Sequence, residues 1–302
     1  MNALLAILFV LVLGVVASLA DRTAAAWIAG DADALARAWR AVLGAAGGAA
    51  RQPLATEHPD PLLAALAPPL YLALAVGGAL LAPFGPDGGP VASEVGIVLW
   101  GAVESLTVVA VFLQGWSANA PLPLLGAYRY LATGLPAMLL SMFVLIAAAL
   151  PAQSLSFAAI VESQRPLWNV LRQPLGLPLF LLLGLSLGLR GPLNYADSSD
   201  LAGGTLAEAS GMHRLLWQAA RLAMLAAFAL VASTVFLGGY LGPWLPGPAW
   251  LLLKALAVLL VLVAAGRLLA RPPPSRALTL LWIVLLPLSF ADLVVAGLEA
   301  LP

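Results

Sequence analysis

Long apolar segments separated by short polar loops dominate the chain, and their pattern predicts its architecture. The segment LLAILFVLVLGVVASLA at residues 4–20 shows no alternation of apolar and polar positions. Helical segments of ~20 apolar residues cross a bilayer, whereas a membrane β-strand alternates over ~10 residues. We therefore predict an all-α polytopic membrane protein forming a single domain, with about eight spans near residues 2–20, 62–84, 95–115, 130–150, 172–189, 217–241, 248–266 and 277–298.

Composition excludes several other classes of protein. Of the 302 residues 62% are hydrophobic and 9% are charged, against roughly a quarter charged in soluble domains. The net charge is zero and basic clusters are absent, so nucleic acid is not an expected partner. The chain has no Cys and two His, so we expect no metal site, haem or iron–sulfur cluster within it. We also expect no catalytic residues, because no nucleophile–base pattern is present.

The distribution of arginine predicts the orientation in the membrane. Loops after the first, third, fifth and seventh spans contain most of the arginines: Arg22, Arg37, Arg40, Arg51, Arg129, Arg190, Arg214, Arg267, Arg271 and Arg276. The opposite side has only Arg165 and Arg172. Because basic residues favour cytoplasmic loops, both chain termini should face away from the cytoplasm. The residues 1–20 are interpreted as a retained span, since no basic segment precedes the apolar one.

The first predicted cytoplasmic loop contains an amphipathic helix signal. In DADALARAWRAVLGAA, residues 31–46, Leu35 and Trp39 lie on one apolar face, while Arg37 and Arg40 lie outside it. A helix of this kind lies in the membrane interface and contacts lipid. The alternative is an ordinary loop helix that docks on the protein, and the sequence leaves both open.

Five ionisable residues fall within or beside predicted spans: Glu104, Arg129, Arg221, Lys254 and Asp292. A charge at the centre of a bilayer costs at least ~2.5–3.5 kcal/mol, so each residue is a functional hypothesis. They could form internal ion pairs, or they could relay protons or tune the local field. Arg129 and Arg221 lie close enough to an interface for the side chain to reach it, which favours a structural role for them.

Three motifs resemble one known family. The acidic segment LRGPLNYADSSDLAGGTLAEASGM, residues 189–212, resembles the cytoplasmic loop between the fifth and sixth helices of the H-type membrane component of respiratory complex I. FLGGYLGPWLPGPAWLLLKALAVLL, residues 236–260, and QGWSANAPLPLLGAYR, residues 114–129, resemble two further segments of that component. The motifs occur in the family's order, so the chain is identified as resembling an H-type subunit of the complex I superfamily.

The resemblance implies a role in a multi-subunit complex of the bacterial cytoplasmic (inner) membrane. In the family this subunit anchors the hydrophilic redox arm on the cytoplasmic face, beside antiporter-like and small membrane subunits. It forms much of the quinone chamber, while iron–sulfur clusters and flavin belong to partner subunits. Its acidic loop, here containing Arg190, Asp197, Asp200 and Glu208, would link quinone chemistry to proton movement. The alternative is a solvated loop that docks on a partner subunit.

The sequence departs from the family where the family has buried carboxylates. Met138 stands where the family has a Glu, and Arg221 replaces another Glu. Glu104 occupies a position where the family usually has a small hydroxyl residue, and we hypothesise that it replaces the missing carboxylate. A fixed cation at Arg221 would raise a barrier to protons.

Four functions remain in competition at this level. The first is the membrane-anchor and coupling subunit of a proton-translocating NADH:quinone oxidoreductase. The second is the membrane subunit of an energy-converting hydrogenase or a formate-hydrogenlyase-like complex. A structural anchor without coupling and a stand-alone transporter are the other two. No internal repeat of the kind found in transporters was recognised.

Overall fold

A computed structural model describes residues 2–45, 47, 58–86 and 88–299; Arg51 of the predicted basic loop lies outside these ranges. The described residues form α-helices joined by short loops, which confirms the all-α prediction. The helices are α1 Asn2–Ile28, α2 Ala34–Ala45, α3 Pro61–Leu80, α4 Gly96–Ser117, α5 Pro121–Ala149, α6 Phe157–Ser163, α7 Asn169–Arg172, α8 Gly176–Leu187, α9 Gly211–Phe236, α10 Gly247–Leu268, α11 Pro274–Thr279 and α12 Leu286–Glu299.

Seven helical segments of the described chain are long and apolar enough to cross a membrane, and they correspond to seven of the predicted spans. The fifth predicted span, 172–189, differs. It contains α8, whose 12 residues extend about 18 Å, less than the ~30 Å of a bilayer core. Pro174 explains the break before it, because a proline disfavours helical geometry at the preceding residue. Gln173 accordingly has φ −128° and ψ 72° and separates α7 from α8.

Helix α9 forms the centre of the bundle. Every residue from Ala223 to Phe236 is buried, as expected for a helix that is apolar on all sides. It packs against α1, α3, α8 and α10. Helix α3 presents buried Ala75, Gly78 and Ala79, and small residues of this kind allow close approach between membrane helices.

The last span contains a wider helical turn. Residues Leu280–Leu285 are π-helical and join α11 to α12. Pro287 follows directly, and its missing amide and its ring disrupt the regular bonding of the preceding turn. Ala277, Leu281, Leu285 and Ser289 are buried at four-residue steps along this span.

Chain direction alternates from helix to helix, and this defines two ends of the bundle. The segment 188–210, which we call the acidic loop, lies at one end, where α1 finishes and α9 begins. Asp21 near the end of α1 contacts Arg190 of this loop and Arg267 near the end of α10. The beginning of α1 and the end of α12 lie at the opposite end.

Candidate functional site

The end of α8 explains why the acidic loop is fixed to the bundle. The last carbonyls of a helix have no partner within it and must be satisfied from outside. The Tyr71 hydroxyl donates to the carbonyl of Leu187, and Arg221 donates to the carbonyl of Leu189. Asn194 Nδ2 donates to the same Leu189 oxygen at 2.7 Å. Side chains from α3, α9 and the loop itself therefore hold the start of the loop in place.

Arg221 and Asp197 form the main ion pair of the loop. The distance between Arg221 Nη1 and Asp197 Oδ2 is 2.9 Å, and the Asp197 side chain is only 6% exposed. Thr205 Oγ1 donates to Asp197 Oδ1 at 2.5 Å. The Asp197 amide donates to Asn194 Oδ1 at 3.2 Å. The arginine that replaces a family carboxylate is thus neutralised by a loop acid, a partner that the sequence did not identify.

Close backbone packing holds the second half of the loop against α5. Gly204 has φ +53°, and a Cβ added there would lie 1.7 Å from the carbonyl oxygen of Ala196. A Cβ on Gly126 of α5 would lie 2.4 Å from the same oxygen. The Thr205 amide donates to this oxygen at 3.1 Å. Only glycine fits at these two positions, because any side chain would push the loop away from the helix.

A second pair links the loop to α5 at the protein surface. Arg129 Nη1 lies 2.5 Å from Asp200 Oδ2, with the Asp200 side chain 59% exposed. The hydrogen bond from Arg129 lowers the pKa of Asp200 to about 2. Arg129 was predicted to be a charge near a membrane interface, and its side chain does reach the loop. Surface pairs of this kind contribute little stability, about 0–1 kcal/mol.

An arginine-lined cavity of about 660 Å³ lies beneath the loop, between α1, α9 and α10. Asp21 Oδ1 accepts from Arg190 and Arg267, each at 2.8 Å. Burial lowers the pKa of the Arg190 guanidinium, an effect opposed by the nearby Asp21 carboxylate. The basic side chains that line the cavity outnumber the single carboxylate: Arg22, Arg190, Arg221, Arg267 and Arg271. The cavity is therefore suited to an electron-rich or anionic ligand.

The predicted loop residues do not all meet in this cavity. Arg190 lines it, whereas Asp197 reaches it only through its partner Arg221. Asp200 faces Arg129 at the surface, and Glu208 is half-buried in the turn before α9. The sequence missed Asp21 and Arg267 as site residues. The signal available was that an Asp-Arg pair directly follows the first apolar segment.

Glu104 lies inside the bundle, between α4 and α5. Its side chain is 1% exposed. Trp100 Nε1 donates to Glu104 Oε1 at 2.5 Å, and Ser141 Oγ donates to the same oxygen at 2.8 Å. Oε2 has no hydrogen-bond partner among the described residues. Ser141 lies three residues after Met138 on α5, so the Glu104 carboxyl stands within one helical turn of the position where the family has a carboxylate.

Lys254 and Asp292 lie away from the loop, toward the opposite end of the bundle. Lys254 Nζ donates to the carbonyls of Gly239 and Leu241 at 2.9 and 2.7 Å, and it stands 4.4 Å from the centre of the Trp168 ring. Asp292 accepts from Gln173 Nε2 at 2.5 Å. Lys254 therefore closes the loop between α9 and α10.

Helix α2 corresponds to the predicted amphipathic helix. Ala34 and Ala38 are buried, while Leu35, Trp39 and Leu43 are 66%, 49% and 62% exposed and form one apolar stripe. Arg37 pairs with Asp31, and Arg40 Nε donates to the carbonyl of Ala36 at 3.3 Å. An exposed apolar stripe beside basic residues is typical of a helix that lies in a membrane interface.

Fold and site together define a class: an integral membrane subunit with ionisable groups inside an all-α bundle and an arginine-lined cavity at one end. A family model described as NADH dehydrogenase matches residues 1–297. The chain belongs to the NADH dehydrogenase family, which confirms the resemblance carried by the three motifs.

Curated relatives agree with this assignment, and all three described here are H-type subunits of NADH-quinone oxidoreductase. The first of two such proteins in Rhodopseudomonas palustris (strain BisB5) is 36% identical over 235 residues, 77% of this chain and 73% of the relative. The protein from Methylococcus capsulatus is 29% identical over 234 residues, 77% of this chain and 74% of the relative. One from Cereibacter sphaeroides is 34% identical over 206 residues, 68% of this chain and 65% of the relative. The apolar helices and these bacterial relatives identify an integral inner-membrane protein.

Proposed function

We propose that this chain is the H-type membrane-anchor and coupling subunit of a complex I-like NADH:quinone oxidoreductase. The family assignment and the names of the relatives support membership of such a complex. The three relatives are all named as subunits of a quinone oxidoreductase, which favours this function over a role in a hydrogenase. Its partners would be the hydrophilic redox arm at the acidic loop and the antiporter-like and small membrane subunits.

The observation that carries the proposal is the 660 Å³ cavity beneath the acidic loop. Quinone carbonyl oxygens accept hydrogen bonds, and the cavity offers guanidinium donors from Arg22 and Arg271 together with the buried Arg190. Apolar Leu189, Leu222 and Leu269 also line it and suit the ring and the beginning of an isoprenoid tail. These residues fit a quinone, which would supply two-electron redox chemistry with electrons from partner subunits. Water exclusion and headgroup orientation would be the contribution of this chain.

Coupling would begin at Arg221, because this side chain belongs to both the cavity and the loop. It lines the cavity and holds Asp197 at 2.9 Å. A change of charge in the cavity would therefore alter the strength of the Arg221–Asp197 pair and the docking of the loop. Glu104, inside the bundle and bonded to Ser141, is the carboxyl that we assign to proton movement within the membrane.

Two cavity arginines provide the test. Neither Arg22 nor Arg271 forms a salt bridge within the described residues, so Arg22→Gln and Arg271→Gln should leave the bundle intact. In the complex purified in mild detergent through this chain, we expect the KM for quinone to rise about tenfold, the effect of losing one charge-assisted hydrogen bond. Arg214→Gln, a basic residue at the same end but outside the cavity lining, is the matched control.

Mass spectrometry of the same preparation tests the assembly. Recovery of NADH-binding, iron–sulfur and antiporter-like subunits is expected. A nickel–iron hydrogenase-type large subunit without an NADH module would replace our proposal with the hydrogenase function. A chain that purifies alone would refute membership of either complex, and an unchanged KM in both variants would remove the quinone site.

A further inference from the structure

A second cavity, of about 590 Å³, lies at the opposite end of the bundle from the acidic loop. It is formed by the end of α5, the segment 163–173 and the end of α12, with Ala147 and Glu299 among its lining residues. We call it the distal cavity. Its place at the ends of two long apolar helices puts it at the level of a membrane interface.

Three side chains turn one unsatisfied polar atom each into the distal cavity. Asn169 Oδ1, Arg172 Nη1 and Gln173 Oε1 are buried and have no hydrogen-bond partner within the described part of the chain. Asn169 and Gln173 are only 1% and 4% exposed, and all three residues line the cavity. Buried polar atoms without partners are rare and costly, so a ligand or ordered solvent is expected here.

The remaining atoms of these side chains are firmly held. Asn169 Nδ2 donates to the carbonyls of Ala148 and Val235 at 3.1 and 2.8 Å. Arg172 Nη2 donates to a carbonyl of the segment 163–173 at 3.0 Å, and Gln173 Nε2 donates to Asp292 and to a carbonyl of α5. Because each side chain is fixed through its other nitrogens, the three free atoms are preorganised for binding.

The free atoms are complementary to a headgroup with both charges. Arg172 Nη1 is a cationic donor that matches a phosphate. The oxygens of Asn169 and Gln173 accept hydrogen bonds, and Glu299 adds a carboxylate; together they match a primary ammonium, which has three donors. We propose that the distal cavity binds the headgroup of an ethanolamine phospholipid, with its phosphate on Arg172 and its ammonium on the two amide oxygens.

Other lipid classes fit less well. A choline headgroup has no N–H donor for the amide oxygens, and choline sites use aromatic cages, whereas no aromatic side chain of the described residues lines this cavity. An anionic headgroup would meet Glu299 and two acceptor oxygens with only one arginine to balance them. The neighbouring surface of α12 suits acyl chains, since Val295 and Leu298 are 54% and 63% exposed. This inference does not depend on the proposed function.

Lipid retention by the purified complex tests the proposal. The complex is exchanged into vesicle-derived mixtures of equal phosphatidylethanolamine, phosphatidylcholine and phosphatidylglycerol, repurified, and its bound lipid is quantified by native mass spectrometry. We expect preferential retention of phosphatidylethanolamine and a loss of about tenfold in Arg172→Ala. Arg165→Ala is the matched control, because this arginine of the same segment is exposed, pairs with Glu162 and does not line the cavity.

A second variant covers the case in which Arg172→Ala does not assemble, since Arg172 also bonds to the backbone. Glu299→Gln lies at the exposed end of α12, and it should reduce the preference for phosphatidylethanolamine over phosphatidylglycerol without affecting folding. Soluble glycerophosphoethanolamine should not displace the lipid, because it lacks acyl chains. Equal retention of the three lipids, retention unchanged in both variants, or a partner side chain filling the cavity in a map of the complex would each overturn the proposal.

Discussion

Breaking the Arg221–Asp197 pair should release the acidic loop from the bundle. In Asp197→Asn the side chain keeps its shape and its bond from Thr205, but Arg221, whose side chain is 19% exposed, loses its compensating charge. Removing one member of a buried pair costs ~3–5 kcal/mol, because the other charge is left unpaired. At ~1.4 kcal/mol per tenfold, the lower figure corresponds to roughly a hundredfold change in the equilibrium between docked and released loop.

Amide hydrogen exchange in the purified complex measures this equilibrium directly. The Thr205 amide, bonded to the Ala196 carbonyl, and the Leu201 amide, bonded to the Ser198 carbonyl, report loop opening. When reclosing is faster than exchange, their rates scale with the open population. We expect rates about a hundredfold higher in Asp197→Asn.

Two further variants decide whether the charge pair is responsible. Asp200→Asn removes the exposed pair of the same loop, so its amides should exchange less than about fivefold faster. The double variant Asp197→Asn/Arg221→Gln removes both buried charges and should exchange more slowly than Asp197→Asn alone. Equal rates in Asp197→Asn and Asp200→Asn, or purely additive effects in the double variant, would refute the reasoning.

Three other predictions follow from the ionisable groups. The pKa of Asp200 is depressed in the folded chain, so the stability contributed by its pair with Arg129 is present above the unfolded pKa near ~3.9 and is lost as pH falls toward about 2; loop amide exchange should rise across that window. Glu104→Gln should preserve assembly and NADH oxidation but reduce proton pumping per quinone reduced, measured in proteoliposomes. Lys254→Met removes two charge-assisted bonds and should accelerate exchange of the Leu241 amide about tenfold or more.

Each of these predictions has its own control. The low-pH rise should be absent in Asp200→Asn. Ser105→Ala, one residue from Glu104 and bonded only to the carbonyl of Gly101, should pump normally; equal pumping in Glu104→Gln would remove the carboxyl from the proton route. The acidic loop should exchange at an unchanged rate in Lys254→Met, because Lys254 lies toward the other end of the bundle.

The membrane class and most spans could be predicted because apolar segments of bilayer length are a local property of the sequence. The fifth span was predicted as one continuous segment, although Pro174 was a local signal for the break before α8. The cavity could not be predicted in the same way. Arg267 and Asp21 are separated by 246 positions, and only the packing of α1 beside α10 brings them together.

Ion-pair partners were the other limit of the sequence. Arg221 had several acids within its reach, and the choice of Asp197 depends on where the loop folds back over α5. Gly204 and Gly126 permit that fold by close approach to one carbonyl oxygen. Such a contact depends on three-dimensional placement, and neither glycine is distinguished from the others in the sequence.

The π-helical turn at Leu280–Leu285 makes the last span sensitive to chain length. In a regular α-helix, residues four apart drift by about 40°, so positions from Ala277 to Ser289 would turn by roughly 120°. The wider turn absorbs this drift and keeps them on one face. Deleting one residue from the turn would rotate α12 by about 100° and carry Asp292 away from Gln173 toward lipid. This stretch should therefore reject single-residue deletions during evolution.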